Sequence, residues 1–283
     1  MANLKEIEQR INAISKTSTI TAAMYNIAAG KLRKTSDLLE NYYAFMRELN
    51  KVLYDVAARQ SENMFVKKNE KDTKKVLYIV STGDKGLAGN YHSQLFKYLD
   101  NLQAEHKKPL ELFIVGKKGF FYAKGRKFNV LNNEYISSRD DLQTINYSQY
   151  IDIIRQSFVD KIYDEIQIIY NHYVSASSIK VRQEVLLPIP ISQMSVERKK
   201  NIPFEYDSNP DKVLEDLITV YIQSRTFGIM VDSKLSELSS RMIAMKNATD
   251  NTREVVKQLK SKYHRVRQQK ITSELIDIVN GTL

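Results

Sequence analysis

Leu4-Lys5-Glu6-Ile7-Glu8-Gln9-Arg10-Ile11-Asn12-Ala13-Ile14 opens the pattern that decides the architecture. Stepping on from Ile14 alternately by four and three reaches Ser18, Thr21, Tyr25, Ala28, Leu32, Thr35, Leu39, Tyr42, Met46, Leu49, Leu53 and Val56. Thirteen of these sixteen seam positions are apolar and the other three carry small hydroxyls, so the stretch reads as one side of a coiled coil. A helix of that extent would be roughly 80–85 Å long at ~1.5 Å per residue.

The far end of the chain repeats the pattern. Leu214, Leu217, Tyr221, Ser224, Gly228, Val231, Leu235, Leu238, Met242, Met245, Thr249, Thr252, Val256, Leu259, Tyr263 and Val266 keep the same spacing, with twelve of the sixteen apolar. Asn209 as cap, Pro210 at the first helical position and Asp211 in the first turn mark its start. All five prolines lie between Pro109 and Pro210, and glycine is nearly as scarce at both ends, so nothing interrupts either helix. Neither helix can bury its stripe alone. The cheapest solution pairs them antiparallel, with an overhang of the C-terminal helix that is itself apolar at Ile271, Leu275, Ile276, Ile278 and Val279.

The middle alternates strand and helix. Val76 to Val80 reads as a buried strand, Gly83 to Gly89 as a turn, Asn90 to Leu102 as a helix and Leu110 to Val115 as a second strand. A helix from Tyr147 to Ile162 and strands from Glu165 to Tyr173 and Val181 to Leu187 follow. Such alternation implies a mostly parallel sheet covered on both faces. The expected class is therefore α/β: a long antiparallel coiled coil of terminal helices, 1–60 and 209–283, plus a Rossmann-like middle domain at 74–195.

Composition excludes several chemistries. With no cysteine there is no disulfide, no thiolate nucleophile and no Cys-ligated metal. The histidines, His92, His106, His172 and His264, have no metal-ligand spacing, and no nucleophile elbow is present. Gly83-Asp84-Lys85-Gly86-Leu87-Ala88-Gly89 lacks the Walker A and dinucleotide spacings and reads as a tight strand-to-helix connection. No catalytic, cofactor or metal site is expected. No apolar run reaches the ~20 residues of a membrane span, and the first residues resemble neither a signal nor a transit peptide, so a cytoplasmic protein is expected. The net charge of +10 calls for an acidic partner. Its densest source is Arg253, Lys257, Lys260, Lys262, Arg265, Arg267 and Lys270 on the C-terminal helix. A basic helical run suits an acidic protein or a nucleic acid, though the aromatic interleaving of a single-strand binder is missing.

Two stretches then resemble the gamma subunit of rotary F-type ATP synthases: Ser239-Ser240-Arg241-Met242-Ile243-Ala244-Met245-Lys246-Asn247-Ala248-Thr249-Asp250-Asn251, and Val266-Arg267-Gln268-Gln269-Lys270-Ile271-Thr272-Ser273-Glu274-Leu275-Ile276-Asp277-Ile278-Val279. Ile20-Thr21-Ala22-Ala23-Met24, Lys85-Gly86-Leu87-Ala88-Gly89 and Leu186-Leu187-Pro188-Ile189-Pro190 add to the likeness, which runs in order along the whole chain. Ser is usual in that family where Gly83 stands. The resemblance implies a noncatalytic central-stalk rotor, one copy per complex, without cofactor, inside a hexamer of three alpha and three beta subunits. It further implies contacts with epsilon and a c-ring, at the cytoplasmic face of a bacterial membrane, and an ion-transport or proton-transport complex. It assigns Met24, Arg267 and Gln268 to beta-subunit contact and the 271–279 tip to an apolar sleeve. The alternatives are the rotor of a paralogous F-like ATPase not coupled to proton transport, a nucleic-acid-binding coiled coil, and a dinucleotide enzyme on the middle domain.

Overall fold

The computed structural model describes residues 4–57, 63–66, 75–126, 128–138, 148–191 and 210–281. The expected Asn209 cap, Tyr147 and the outermost expected boundaries lie outside them. The described elements run α1 (Leu4–Ala57), β1 (Val76–Ser81), α2 (Tyr91–Glu105), β2 (Glu111–Val115), α3 (Lys117–Gly125), β3 (Asn129–Val130), α4 (Ser148–Val159), β4 (Glu165–Ser175), β5 (Ser178–Leu187) and α5 (Pro210–Gly281).

The five strands form one sheet in the order β3-β2-β1-β4-β5. β1 pairs parallel with β2 and with β4, β3 is parallel to β2, and only the β4–β5 hairpin is antiparallel. Adjacent residues of β1 feed opposite faces. Leu77 and Ile79 join a core with Phe113, Ile166 and Ile168, packed against Leu53 of α1, Phe158 of α4 and Ile222 of α5. Tyr78 and Val80 join a second core with Leu112 and Ile114, under Leu95 and Leu99 of α2 and Phe120 of α3. Burial on both faces is why β1 reads as an unbroken apolar run rather than an alternation.

The chain divides into two compact units that cut both long helices: Met1–Gly30 with Arg241–Leu283, and Lys31–Ser240. In each, α1 and α5 meet along the expected seams. All sixteen α1 seam positions and all sixteen on α5 are buried or half-buried. In the first unit Thr249 Oγ1 lies 2.8 Å from Thr21 Oγ1, so two of the polar seam positions satisfy each other. In the second, Gly228 receives the Tyr42 ring: a Cβ at 228 would stand 1.9 Å from Tyr42 Cζ. The glycine that interrupts the apolar pattern is thus a socket for an aromatic side chain.

One part of α5 departs from the single-stripe reading. From Ile229 to Ser239 every residue is buried, including Asp232, Ser233, Lys234, Ser236, Glu237 and Ser239. The seam accounts for one side of the helix here, and the ends of β1 and β4 cover the rest. Polar residues survive that burial because each small hydroxyl or charge has a local partner.

The seam register makes a direct prediction. Leu32→Asp places a carboxylate against the core on which Leu32 packs, whereas Arg33 is exposed. We expect Leu32→Asp to lose helicity and lower the unfolding midpoint markedly, and Arg33→Asp to stay within about 0.5 kcal/mol of wild type in urea titration. The Gly228 socket makes a second. Gly228→Ala should cost about 1–3 kcal/mol through overpacking. Combined with Tyr42→Ala it should cost less than the sum of the two single changes, as a double-mutant cycle by thermal unfolding will show.

Candidate functional site

The residues singled out by sequence fall into two settings. Those on α5 from Arg253 to Lys270 are surface groups. Arg253, Lys257, Lys260, Lys262, Arg265, Arg267, Gln268 and Lys270 are all exposed, because the α5 seam takes only Thr252, Val256, Leu259, Tyr263 and Val266 from this stretch. Arg253 has Asp250 at 3.8 Å and Lys270 has Glu274 at 3.6 Å, both exposed pairs of little strength. The basic residues share exposure rather than one face. At ~100° per residue, Arg253, Lys257, Lys260 and Arg267 cluster on one side while Lys262 and Arg265 project on the other.

Beyond Val266 the seam ends. Every residue from Arg267 to Ile278 is exposed, among them Ile271, Leu275, Ile276 and, at 63%, Ile278. The Val279 side chain lies outside the described residues. Exposed aliphatic side chains on one helical end, beside exposed basic groups, form an apolar patch of the kind that marks an interaction surface.

Met24 is half-buried and lies in a different place. With Thr21 against Thr249, it stands roughly 30 Å along α5 from Arg267 at ~1.5 Å per residue, so the two do not form one site. Its neighbours at helical spacing are Ile20 and Ile27, exposed by 60% and 59%. Ile20, Met24 and Ile27 make a second apolar stripe beside the seam. Ile20 enters the sequence reading only within the family-like stretch 20–24 and Ile27 not at all, although their spacing of four and three around Met24 is the signal that marks the stripe.

The remaining candidate was the turn after β1. In an open parallel sheet of this order, the crevice beyond the strand ends at the β1–β4 switch is where a nucleotide would bind. Here α5 occupies that end. Ser233 Oγ lies 3.0 Å from Ser81 Oγ and 2.8 Å from the Tyr91 hydroxyl. The Glu237 carboxylate packs on Gly83 so closely that a Cβ there would stand 2.8 Å from it. Glu237, paired with Lys234 Nζ at 3.0 Å, fills the strand end, so the geometry disfavours the dinucleotide reading and explains the glycine at 83. Nearby, Asp232 accepts from the Tyr173 N–H at 2.8 Å and pairs with His172 Nδ1 at 2.6 Å. Burial raises the Asp232 carboxyl above its ordinary value, and those two hydrogen bonds oppose the rise. Burial likewise pushes the Tyr221 phenol up to about 12, where it stays protonated. Among the described residues no three carboxylate or histidine groups gather as metal ligands, and no helix is long and apolar enough to cross a membrane.

The chain has recognisable relatives along its whole length. A family model described as ATP synthase matches residues 3–282. The ATP synthase gamma chain of Macrococcus caseolyticus (strain JCSC5402) is 32% identical over 286 residues, covering 99% of this chain and 98% of that one. Among solved structures, a chain of the Tetrahymena thermophila mitochondrial ATP synthase central stalk and c-ring has a TM-score of 0.59 at 26% identity, over 81% of this chain and 99% of that one. A chain of the Euglena gracilis mitochondrial ATP synthase assembly of OSCP, F1 and c-ring has a TM-score of 0.67 at 17% identity, over 99% of this chain and 93% of that one, and speaks to the fold. Paired terminal helices, a sheet whose ligand crevice is closed by its own helix, and a full-length match to a gamma chain lead to one conclusion: the chain belongs to the gamma-subunit family of F-type ATP synthases.

Proposed function

We propose that this chain is the noncatalytic central-stalk rotor of an F-type rotary ATPase or ATP synthase, coupling rotation to conformational change in catalytic beta subunits. The observation that carries the reading is the match to a gamma chain along 99% of the sequence. The exposed end of α5 supports it, since an exposed apolar tip with basic groups beside it suits a receptor built from other subunits. The partners proposed are a hexamer of three alpha and three beta subunits, with epsilon and a c-ring in a full synthase, around one copy of this chain. The complex would sit with this subunit peripheral at the cytoplasmic face of a bacterial membrane.

The physics of coupling follows from asymmetry. Inside a pseudo-threefold ring, a two-helix shaft with an apolar stripe at Ile20, Met24 and Ile27 and basic groups at Arg253, Lys257 and Lys260 touches each catalytic subunit differently. A contact shifts a partner between conformations only by the difference in its free energy with the two states. Turning the shaft permutes those differences among three sites, and by reciprocity a change of state at one site drives the shaft. Arg267 and Gln268 are proposed to reach a beta-subunit loop, and 271–279 to turn in an apolar sleeve.

Affinity purification of the tagged chain from its native cells, followed by native mass spectrometry, tests the reading. Three alpha and three beta subunits per copy are expected, and a c-ring separates a synthase from a paralogous motor. A chain that instead arrives with nucleic acid released steeply by salt would overturn the reading. Arg267→Ala with Gln268→Ala should lower ATP turnover of the reconstituted hexamer while leaving the unfolding midpoint unchanged, because both residues are exposed and off the seam. A charge-assisted hydrogen bond lost from Arg267 is worth about 1.5–3 kcal/mol. Wild-type turnover in the double variant would remove the pair from the contact.

A further inference from the structure

Between Arg225 and Ser239, α5 meets the sheet through oriented polar contacts rather than through apolar surface alone. Arg225 donates from Nη2 to the Glu184 carboxylate on β5, and from Nη1 to the Tyr42 hydroxyl at 3.3 Å. Glu184 is itself held by the Tyr170 hydroxyl at 2.8 Å. Two turns on, Asp232 takes the Tyr173 N–H and pairs with His172, both on β4. One turn further Ser236 Oγ donates to the Asn171 carbonyl at 2.8 Å, and Ser239 Oγ donates to the Ala176 carbonyl at 2.5 Å. At ~100° per residue, Arg225, Asp232, Ser236 and Ser239 fall within about 60° of one another around the helix. They form one stripe facing the β4–β5 hairpin.

Stability does not explain the choice of residues. Burying a carboxylate is costly even when it is paired, and apolar groups of similar size usually hold an interface at least as well. What a polar stripe supplies is direction. Apolar contact is non-directional, so a helix on an apolar bed can roll with little change in energy. A hydrogen bond weakens steeply with misalignment, so four residues bonded along one line oppose any roll of α5 against β4.

We propose that Arg225, Asp232, Ser236 and Ser239 are positioning residues that lock the rotational angle of α5 to the sheet, so that torque carried by the helix passes into the sheet domain without angular play. The inference rests on the rotor reading above. The absence of cysteine makes the test clean, because any introduced cysteine is a unique label. Two rotors are reconstituted into the alpha–beta hexamer, one carrying a bead at Lys118→Cys on the sheet domain, the other at Lys212→Cys on α5, both exposed positions. Angular fluctuation of each bead is recorded during the pause before ATP binding. In Asp232→Leu/Ser236→Ala/Ser239→Ala, which removes four of the bonds, the angular variance of the sheet bead is expected to rise about twofold or more while the α5 bead is unchanged.

ATP turnover should stay at the wild-type value. Restoring the serines and placing Asp232→Asn should return the variance to normal, since the amide keeps an acceptor for Tyr173 and offers a donor to His172. Should the triple variant fail to fold, Ser236→Ala/Ser239→Ala alone carries the same comparison with a smaller rise. Equal variance at the two beads in a folded variant, or an equal rise at both, would overturn the lock. Beads that do not turn even on the wild-type chain would instead overturn the rotor reading.

Discussion

The burial of two matched apolar seams against each other is the constraint on which everything else depends. Each terminal helix carries an apolar line along one side, and a long helix with such a line in water is unstable alone. Pairing them satisfies both at once, and it fixes the register: Thr21 meets Thr249, and Gly228 admits Tyr42. Because the two partners are the two ends of one sequence, whatever lies between them must form a unit with its own core. That unit is the five-stranded sheet, and the two hydrophobic clusters on its faces divide the work. One shares its residues with α1 and α5, and the other belongs to α2 and α3.

How much of this can be read from sequence depends on how far the controlling residues are from their partners. The seams were legible because a spacing of three and four is a local property, and all thirty-two positions were assigned to the side that is buried. The strands were legible because β-branched runs end at turn residues; β3 was missed because two residues carry no period. The buried polar stretch from Asp232 to Ser239 was not legible. Its residues look like a solvated helix face, and only the approach of β1 and β4, distant in sequence, converts them to interior groups. The same distance hides the role of Gly83. Its glycine is a departure from the family pattern in sequence and a seat for the Glu237 carboxylate in the fold. At the candidate surface, the tip and the basic positions were visible as composition, whereas the split of the basic groups around the helix and the Ile20, Met24 and Ile27 stripe needed the seam as an angular reference.

The sheet order also shows why topology alone is a poor guide to chemistry. A β3-β2-β1-β4-β5 sheet with its switch point at β1 and β4 has the layout that elsewhere holds a nucleotide. Here Ser233 and Glu237 of α5 stand at that switch point, bonded to Ser81 and Tyr91 or packed on Gly83. A site that binds a small molecule in other proteins has become the place where a helix is gripped. The glycine spacing after β1 agrees, since it fits no phosphate loop.

The two parts of α5 therefore carry opposite physical signatures. From Ile229 to Ser239 the helix is enclosed and its polar groups are matched to fixed partners, which makes that interface specific in angle. From Arg267 to Ile278 every residue is exposed, and its aliphatic side chains offer non-directional apolar surface rather than oriented bonds. A shaft needs both properties: grip where it meets the load and freedom where it turns in its bearing. In the proposed rotor an oriented hydrogen-bond stripe would supply the first, and a tip of Ile271, Leu275, Ile276 and Ile278 the second, because an apolar contact costs nearly the same at every rotation. On that proposal, the placement of polar and apolar residues along one continuous helix is what separates the end that must not slip from the end that must.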